Sequence, residues 1–287
     1  HISNQRDFVT VSPPNLTCLN CQKEICPIHA SQPPCQQIPP ELIAHTVNKR
    51  LAAYFSEDTS AVIAVYRPDV SRLNKCLGHV LPQVQEVVIA VDGDGNIPNG
   101  IHQDGRIVYA RNLSGKRLGY GKNANLGVRH SNGKYILLLN DDVFLAPDAV
   151  QRMKEVLDEK TGLVAQLLRY PDGTIQHGGS YRNPGDIGWG HIDHKQHHAR
   201  ITEPCEMENV TLASALMRRK AFYEVLGFDE RFDCYCEDND MCMKIRQAGW
   251  KIMYQPKATG IHIEHQTTMN SIDGWRVMKE SCRIFGE

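Results

Sequence analysis

The chain has 287 residues, with 32 Lys and Arg against 33 Asp and Glu, a formal net charge of −1 and 41% hydrophobic residues. That length can bury a sizeable core, and the charge balance excludes a nucleic-acid binder or membrane anchor working by bulk positive charge. No run approaches the roughly 18 consecutive apolar residues of a spanning helix, and the opening HISNQRDFVT lacks the basic and apolar regions of a secretory signal. The composition reads as a soluble globular protein, expected in the cytoplasm, with the secretory lumen as the alternative. Sequons at Asn15, Asn112 and Asn209 do not decide between the two.

Residues 1–40 hold seven of the 15 prolines and four of the ten cysteines. In CLNCQKEICPIH, Cys18 and Cys21 have C-x-x-C spacing, and Cys26 and His29 follow with a second two-residue gap. These four are candidate ligands of a structural zinc ion. Disulfides using Cys35, or a solvated linker with unpaired thiols, are the alternatives. In ELIAHTVNKRLAAYF (41–55), Ile43, Val47, Leu51, Tyr54 and Phe55 share one face and predict an amphipathic helix. Residues 1–57 thus read as a Cys/Pro-rich extension.

From residue 60 strand and helix patterns alternate, which predicts an α/β fold with a mostly parallel central sheet flanked by helices. AVIAVY (61–66) is a strand followed by a helix to about Val80. EVVIAVDGDG (86–95) and RIVYARN (106–112) are the next strands. A helix around KNANLGVRHS leads into KYILLLNDDVF (134–144), the most apolar strand, and Pro147 opens another helix. Ligands of open α/β sheets lie beyond the carboxyl ends of strands, so Asp92 and the Asn140-Asp141-Asp142 cluster are well placed. Adjacent carboxylates there suit a hard cation, Mg²⁺ or Mn²⁺, arriving with a substrate phosphate; a solvated turn is the plain alternative.

Residues 170–207 hold five of the 13 histidines, His177, His191, His194, His197 and His198. Solvated loop histidines or a second metal site are the two readings, and GDIGWGH reads as a mobile loop that brings Trp189 over the site. Val210–Met217 resumes as a strand, and Trp250 and Tyr254 read as packing residues. In CEDNDMCMKIRQAGW (236–250), Glu237, Asp238 and Asp240 open a helix whose Met241 and Ile245 face inward. These acids complement a helix dipole or supply a general base. No G-x-x-x-x-G-K-[ST] loop occurs, and DGDG after the second strand is not G-x-G-x-x-G.

Taken in order, AVIAVYRPD, VVIAVDGDG, GYGKNANLGV, YILLLNDDVFLAPDAV, DGTIQHGG, TLASALMRRKAFYEVLGFDERF, CEDNDMCMKIRQAGW and YQPKATGIHIEH resemble the family 2 glycosyltransferases of the GT-A fold, in their rhamnosyltransferase-like branch. The resemblance spans residues 58–265 and leaves a helical tail at 266–287. It implies a Rossmann-like nucleotide-binding half and a metal-dependent, inverting transfer of a hexosyl or deoxyhexosyl group. The donor would be a nucleotide-sugar, and the acceptor a glycan, glycolipid or glycoprotein hydroxyl. It assigns Asp92 to the nucleoside and Asp142 to a metal ion, with Asp141 sharing the work because Asn140 departs from the D-x-D pattern. His262 becomes a ligand of the metal or diphosphate, with His265 its neighbour in HIEH, and Asp238 the catalytic base. Val65, Tyr66, Asn125 and Arg219, or Arg218 beside it, are the remaining donor-binding candidates. A nucleotidyltransferase or phosphohydrolase using the same acids, and a non-catalytic glycan-binding module, are the rival classes.

Overall fold

The computed structural model describes residues 58–183, 188–264 and 272–286. The zinc candidates Cys18, Cys21, Cys26 and His29, the amphipathic stretch 41–55 and His265 lie outside the described residues.

Strands β1 (Thr59–Val65), β2 (Glu86–Val91), β3 (Ile107–Arg111) and β4 (Tyr135–Leu139) pair in parallel in the order β3-β2-β1-β4. Their near-continuous apolar text has a simple cause. Ala61, Ile63 and Val65, with Val87, Ile89, Leu137 and Leu139, enter one core, whereas Val62, Val88, Ala90, Ile136 and Leu138 enter the other. Strand side chains alternate between faces, so a sheet covered on both faces must be apolar at every position.

Helix α1 (Val70–Val80) covers the first face. Asp69 caps it by accepting from the Arg72 amide at 2.8 Å, and Leu73, Cys76, Leu77 and Val80 form its buried stripe. Helix α2 (Tyr120–His130) covers the second face. It approaches so closely that a Cβ on Gly127 would stand 2.5 Å from Val62 Cγ1.

The apolar run 134–144 is not one strand. It breaks after Leu139 at a turn and resumes as β5 (Val143–Leu145), followed by α3 (Ala149–Lys154), which starts two residues beyond Pro147. Past it come β6 (Thr161–Arg169), β7 (Ile175–His177), the hairpin β8 (Ser180–Arg182) and β9 (Trp189–His191), and β10 (Cys205–Glu206). Trp189 therefore belongs to a strand that pairs with β8. Strand β11 (Ser214–Arg218) starts later than expected, and leads into α4 (Arg219–Glu224), α5 (Glu237–Gln247), β12 (Lys251–His262) and α6 (Ile272–Gly286).

The sheet order is β10-β12-β6-β11-β4-β1-β2-β3. Strand β11 runs antiparallel to both β4 and β6, so β6 and its parallel neighbour β12 point the same way as β1 to β4. The sheet is thus mostly parallel. The chain moves from β1 outward to β3 and then returns to the other side of β1, which opens a crevice at the carboxyl ends of β1 and β4. Tyr254 is fully buried and Met241 and Ile245 pack inward, as their spacing implies. Among the described residues no helix is long and apolar enough to cross a membrane.

Candidate active site

A cleft of about 330 Å³ lies at that crevice. Val65, Tyr66, Asp92, Asp141, Asp142, Asp238 and His262 all line it, although they are spread over nearly 200 positions of sequence. The parallel strands explain the convergence of all but Asp238, because each delivers its carboxyl end to the same edge of the sheet; Asp238 comes from a helix, Glu237–Gln247.

The turn Asn140-Asp141-Asp142 is pinned by backbone bonds on both sides. The Asn140 amide donates to Ala213, and the Ile263 amide to the Asp142 carbonyl. Antiparallel pairing sets His262 opposite Val143, which brings its ring beside Asp142. Nε2 of His262 stands 3.3 Å from Asp142 Oδ1, and the two residues are 5% and 6% exposed. Asp142 Oδ1 is buried and receives no hydrogen bond. A buried carboxylate oxygen without a donor is costly, and a cation shared with an imidazole nitrogen would satisfy it. Among the described residues no three His, Cys, Asp or Glu side chains converge as ligands of one ion. A pair suits an ion that takes its remaining ligands from substrate phosphate and water.

Asp141 has a different partner. Its Oδ2 lies 3.1 Å from Arg72 Nη2 of α1. Burial pushes this carboxyl up and the Arg72 charge only partly offsets that, so it stays above the ordinary carboxylate range.

Asp92 closes β2 and is 5% exposed. Its oxygens accept from the Gly93, Leu118 and Gly119 amides and from Asn112 Nδ2, at 2.6 to 3.2 Å. It therefore ties the 112–119 loop against the cleft. On the same wall, the Arg117 guanidinium lies 5.5 Å from the centre of the Tyr66 ring.

Asp238 sits in the first turn of α5 and is half-buried. Its Oδ2 accepts from the Leu212 amide at 2.9 Å and from Thr211 Oγ1 at 3.3 Å, so the segment before β11 fixes its rotamer. Glu237 beside it is buried, and its Oε2 has no hydrogen-bond partner. Burial raises both carboxyls, and the Asp238 charge adds to the rise at Glu237. The two donors on Asp238 pull it back, so Asp238 ionises before Glu237. The backbone entering this turn is strained. Tyr235 and Cys236, neither a glycine, hold φ of 69° and 62°, an arrangement found preferentially at functional sites.

Two expected donor-binding residues stand elsewhere. Arg219 follows β11, which runs antiparallel to β4, so Arg219 lies beside Lys134 at the start of β4 rather than at its carboxyl end. Its guanidinium donates to the Gly133 carbonyl at 2.5 Å and to Ser131 Oγ at 2.8 Å. Arg218 likewise serves the Asp158 and Thr161 carbonyls. Asn125 faces away from the cleft. Its side chain clamps Phe228 by accepting from that residue's amide and donating to its carbonyl, each at 3.0 Å. Asn123, two residues earlier and so on the opposite side of the helix, does line the cleft, and donates to the Val65 and Ala90 carbonyls.

Sequence reasoning also passed over Thr211, Gln176 and Glu264. Gln176 Nε2 donates to Glu264 Oε1 at 3.3 Å, while its Oε1 lies 3.4 Å from His262 Nδ1. Of the 170–207 histidines, His191, His194, His197 and His198 line one surface pocket, and among the described residues no three of them converge as ligands of one ion. His177 is wholly buried, with neither ring nitrogen hydrogen-bonded, and packs edge-on against His191, which reaches the cleft.

The fold has counterparts among solved structures. GalNAc-T7 with UDP, GalNAc and Mn²⁺ superposes with a TM-score of 0.61 at 16% identity, over 80% of this chain and 47% of that one. The mannosyltransferase PcManGT from Pyrobaculum calidifontis, with GDP-Man and Mn²⁺, gives 0.54 at 14% identity, over 86% of this chain and 74% of that one. These likenesses identify a GT-A fold. In sequence, the chain is 33% identical over 148 residues to the Uncharacterized protein y4gI of Sinorhizobium fredii, 49% of this chain and 16% of that one. It is 27% identical over 180 residues to the N-acetylglucosaminyl-diphospho-decaprenol L-rhamnosyltransferase of Mycobacterium tuberculosis, 54% of this chain and 59% of that one. It is 26% identical over 168 residues to the rhamnosyltransferase WbbL of Escherichia coli K12, 53% of this chain and 64% of that one. The chain thus spans less than two thirds of each of these three relatives. The family model "Glycosyl transferase family 2" matches residues 60–226, more than half of the sequence, and the chain belongs to that family.

Proposed function

We propose that the chain is a metal-dependent, inverting glycosyltransferase that moves a hexosyl or deoxyhexosyl group from a nucleoside diphosphate sugar to an acceptor hydroxyl. One observation carries the reading: a single cleft has Asp142 and His262, from the turn after β4 and the end of β12, and Asp238, from α5, in its wall. The first pair suits a cation and the third residue suits a base.

Asp142 and His262 would hold Mn²⁺ or Mg²⁺, which when bound offsets the charge gathering on the diphosphate as it leaves. Tyr66, Asn123 and the loop held by Asp92 form the wall at the carboxyl ends of β1 and β2, where the nucleoside would lie. Oδ2 of Asp238 is engaged by Leu212 and Thr211, which leaves Oδ1 for the acceptor proton. The acceptor oxygen then bonds to the anomeric carbon, the bond from that carbon to phosphate breaks, and its electron pair departs with the diphosphate. Attack opposite the leaving group inverts the anomeric centre. Closing the cleft to bulk water would strengthen each of these interactions.

The two rhamnosyltransferase relatives support a deoxyhexose donor, and the decaprenol diphosphate in one name supports a lipid-linked acceptor. The test is a panel of thymidine, uridine and guanosine diphosphate sugars, rhamnose included. Release of nucleoside diphosphate with Mn²⁺ or Mg²⁺, stopped by EDTA, is expected. Pyrophosphate release would replace this reading with nucleotidyl transfer, and no turnover of any donor would favour a non-catalytic glycan-binding module.

A further inference from the structure

Gln176 lies in the short strand β7, 2% exposed, between the two residues that close β12's path into the cleft. An amide side chain has a donor end and an acceptor end, and its neighbours decide which way it turns. On one side is Glu264. Its Oε2 accepts from the Tyr170 hydroxyl at 2.5 Å, and its Oε1 faces Gln176 at 3.3 Å. A carboxylate only accepts, so the Gln176 NH₂ must point to Glu264 and the carbonyl oxygen Oε1 must point the other way. What lies there, at 3.4 Å, is Nδ1 of His262. An oxygen facing Nδ1 requires the proton on Nδ1, which leaves the lone pair on Nε2. That nitrogen stands 3.3 Å from Asp142 Oδ1, the buried oxygen that receives no hydrogen bond.

We infer that Gln176, oriented by Glu264 and Tyr170, is a positioning residue that fixes the Nδ1–H tautomer of His262 and so presents Nε2 as a metal ligand. The order Tyr170–Glu264–Gln176–His262 is a relay of orientation. Each member has one hydrogen-bonding sense left once its predecessor is set. The backbone anchors the relay, since the Gln176 carbonyl lies 2.9 Å from His191 Nδ1 and 3.3 Å from His194 Nδ1. Without Gln176, the ring could place its proton on Nε2 and donate to Asp142, which would take both lone pairs from a cation at once.

This inference deepens the metal-dependent reading above, and two measurements on the full chain separate their failures. Long-range ¹H–¹⁵N spectra of the metal-free, histidine-labelled protein report the protonated nitrogen of each ring, and His262→Gln identifies the signal of interest. The wild type should show Nδ1–H. Gln176→Leu should move the proton to Nε2, as should the milder Glu264→Gln, whose new amide can donate to Gln176 and turn it over. Electron paramagnetic resonance of free Mn²⁺, with UDP present, should show affinity about 10–100-fold weaker in both variants, the usual effect of losing a residue behind a metal ligand. An Nε2–H or doubly protonated ring in the wild type overturns the inference, as does an unchanged tautomer in whichever variants retain the wild-type circular dichroism spectrum. A wild type that shows Nδ1–H but binds no Mn²⁺ with UDP supports the relay and overturns the metal-dependent reading.

Discussion

His262 Nε2 and Asp142 Oδ1 face each other across 3.3 Å, with both residues almost wholly buried. The contact joins the end of β12 to the turn after β4, residues 120 positions apart, and it exists because β5 pairs antiparallel with β12 at His262 and Val143. Two electron-rich atoms brought together in a buried place are poorly satisfied by protein alone.

Asp142→Asn tests stability and function side by side. Burial opposes the charge of this carboxyl, but its partners outweigh burial and hold it below its ordinary range, so removing the charge should leave the melting temperature at neutral pH unchanged or lower it. Mn²⁺ affinity should fall at least about tenfold, and turnover by about 10²–10³-fold, the range for loss of one electrostatic element of a transition state. Calorimetry and a nucleoside diphosphate release assay on the same preparation check both arms.

Asp238→Asn keeps an oxygen that can accept from Leu212 and Thr211 but cannot take a proton. We expect kcat to drop about 10²–10⁴-fold with donor KM nearly unchanged. In the wild type, burial pushes Asp238 up to about 6 against the pull of its two donors. The base must be ionised to act, so kcat should fall as pH drops through about 6, and a pH profile of turnover shows whether it does.

Glu237 gives a stability signature of opposite kind. Burial, then the charge of Asp238, raises its folded-state pKa above the unfolded value. The folded state thus binds this proton more tightly, and stability is lost as pH rises from the unfolded pKa through the folded one. Glu237→Gln should be more stable than wild type at pH 8, on the order of 1–3 kcal/mol, and equal to it near pH 4. Thermal melts at the two pH values measure the difference.

The sheet and the strand-end acids were legible in the sequence for one physical reason. A parallel sheet covered on both faces writes unbroken apolar runs, and the polar residues that end them must lie at its carboxyl edge. Asp92, Asp142, Val65 and Tyr66 stand at that edge and line the cleft. The expected residues that stand away from the cleft do so for equally physical causes. Arg219 follows a strand whose reversed direction no periodicity reveals. Asn125 and Asn123 differ by half a helical turn, and only the docking of α2 decides which meets the cleft. Gln176 was silent because its meaning depends on Glu264 and His262, 88 and 86 residues away.

Arg219→Ala tests that reassignment. It strips donors from the Gly133 carbonyl and Ser131 Oγ in a buried pocket, which should cost about 3 kcal/mol. Donor KM of the folded fraction should not move. Urea unfolding beside steady-state kinetics distinguishes this from a phosphate contact, for which KM would rise with stability intact.

The anomeric configuration of the released sugar, followed by proton NMR from the first turnover with water standing in as acceptor, tests the single-displacement reading most directly. Asp238 acting as a base on the attacking oxygen predicts that the first-formed anomer is inverted relative to the donor, in a reaction that stops with EDTA and resumes with Mn²⁺. A first-formed product of retained configuration, or turnover indifferent to the chelator, would contradict it.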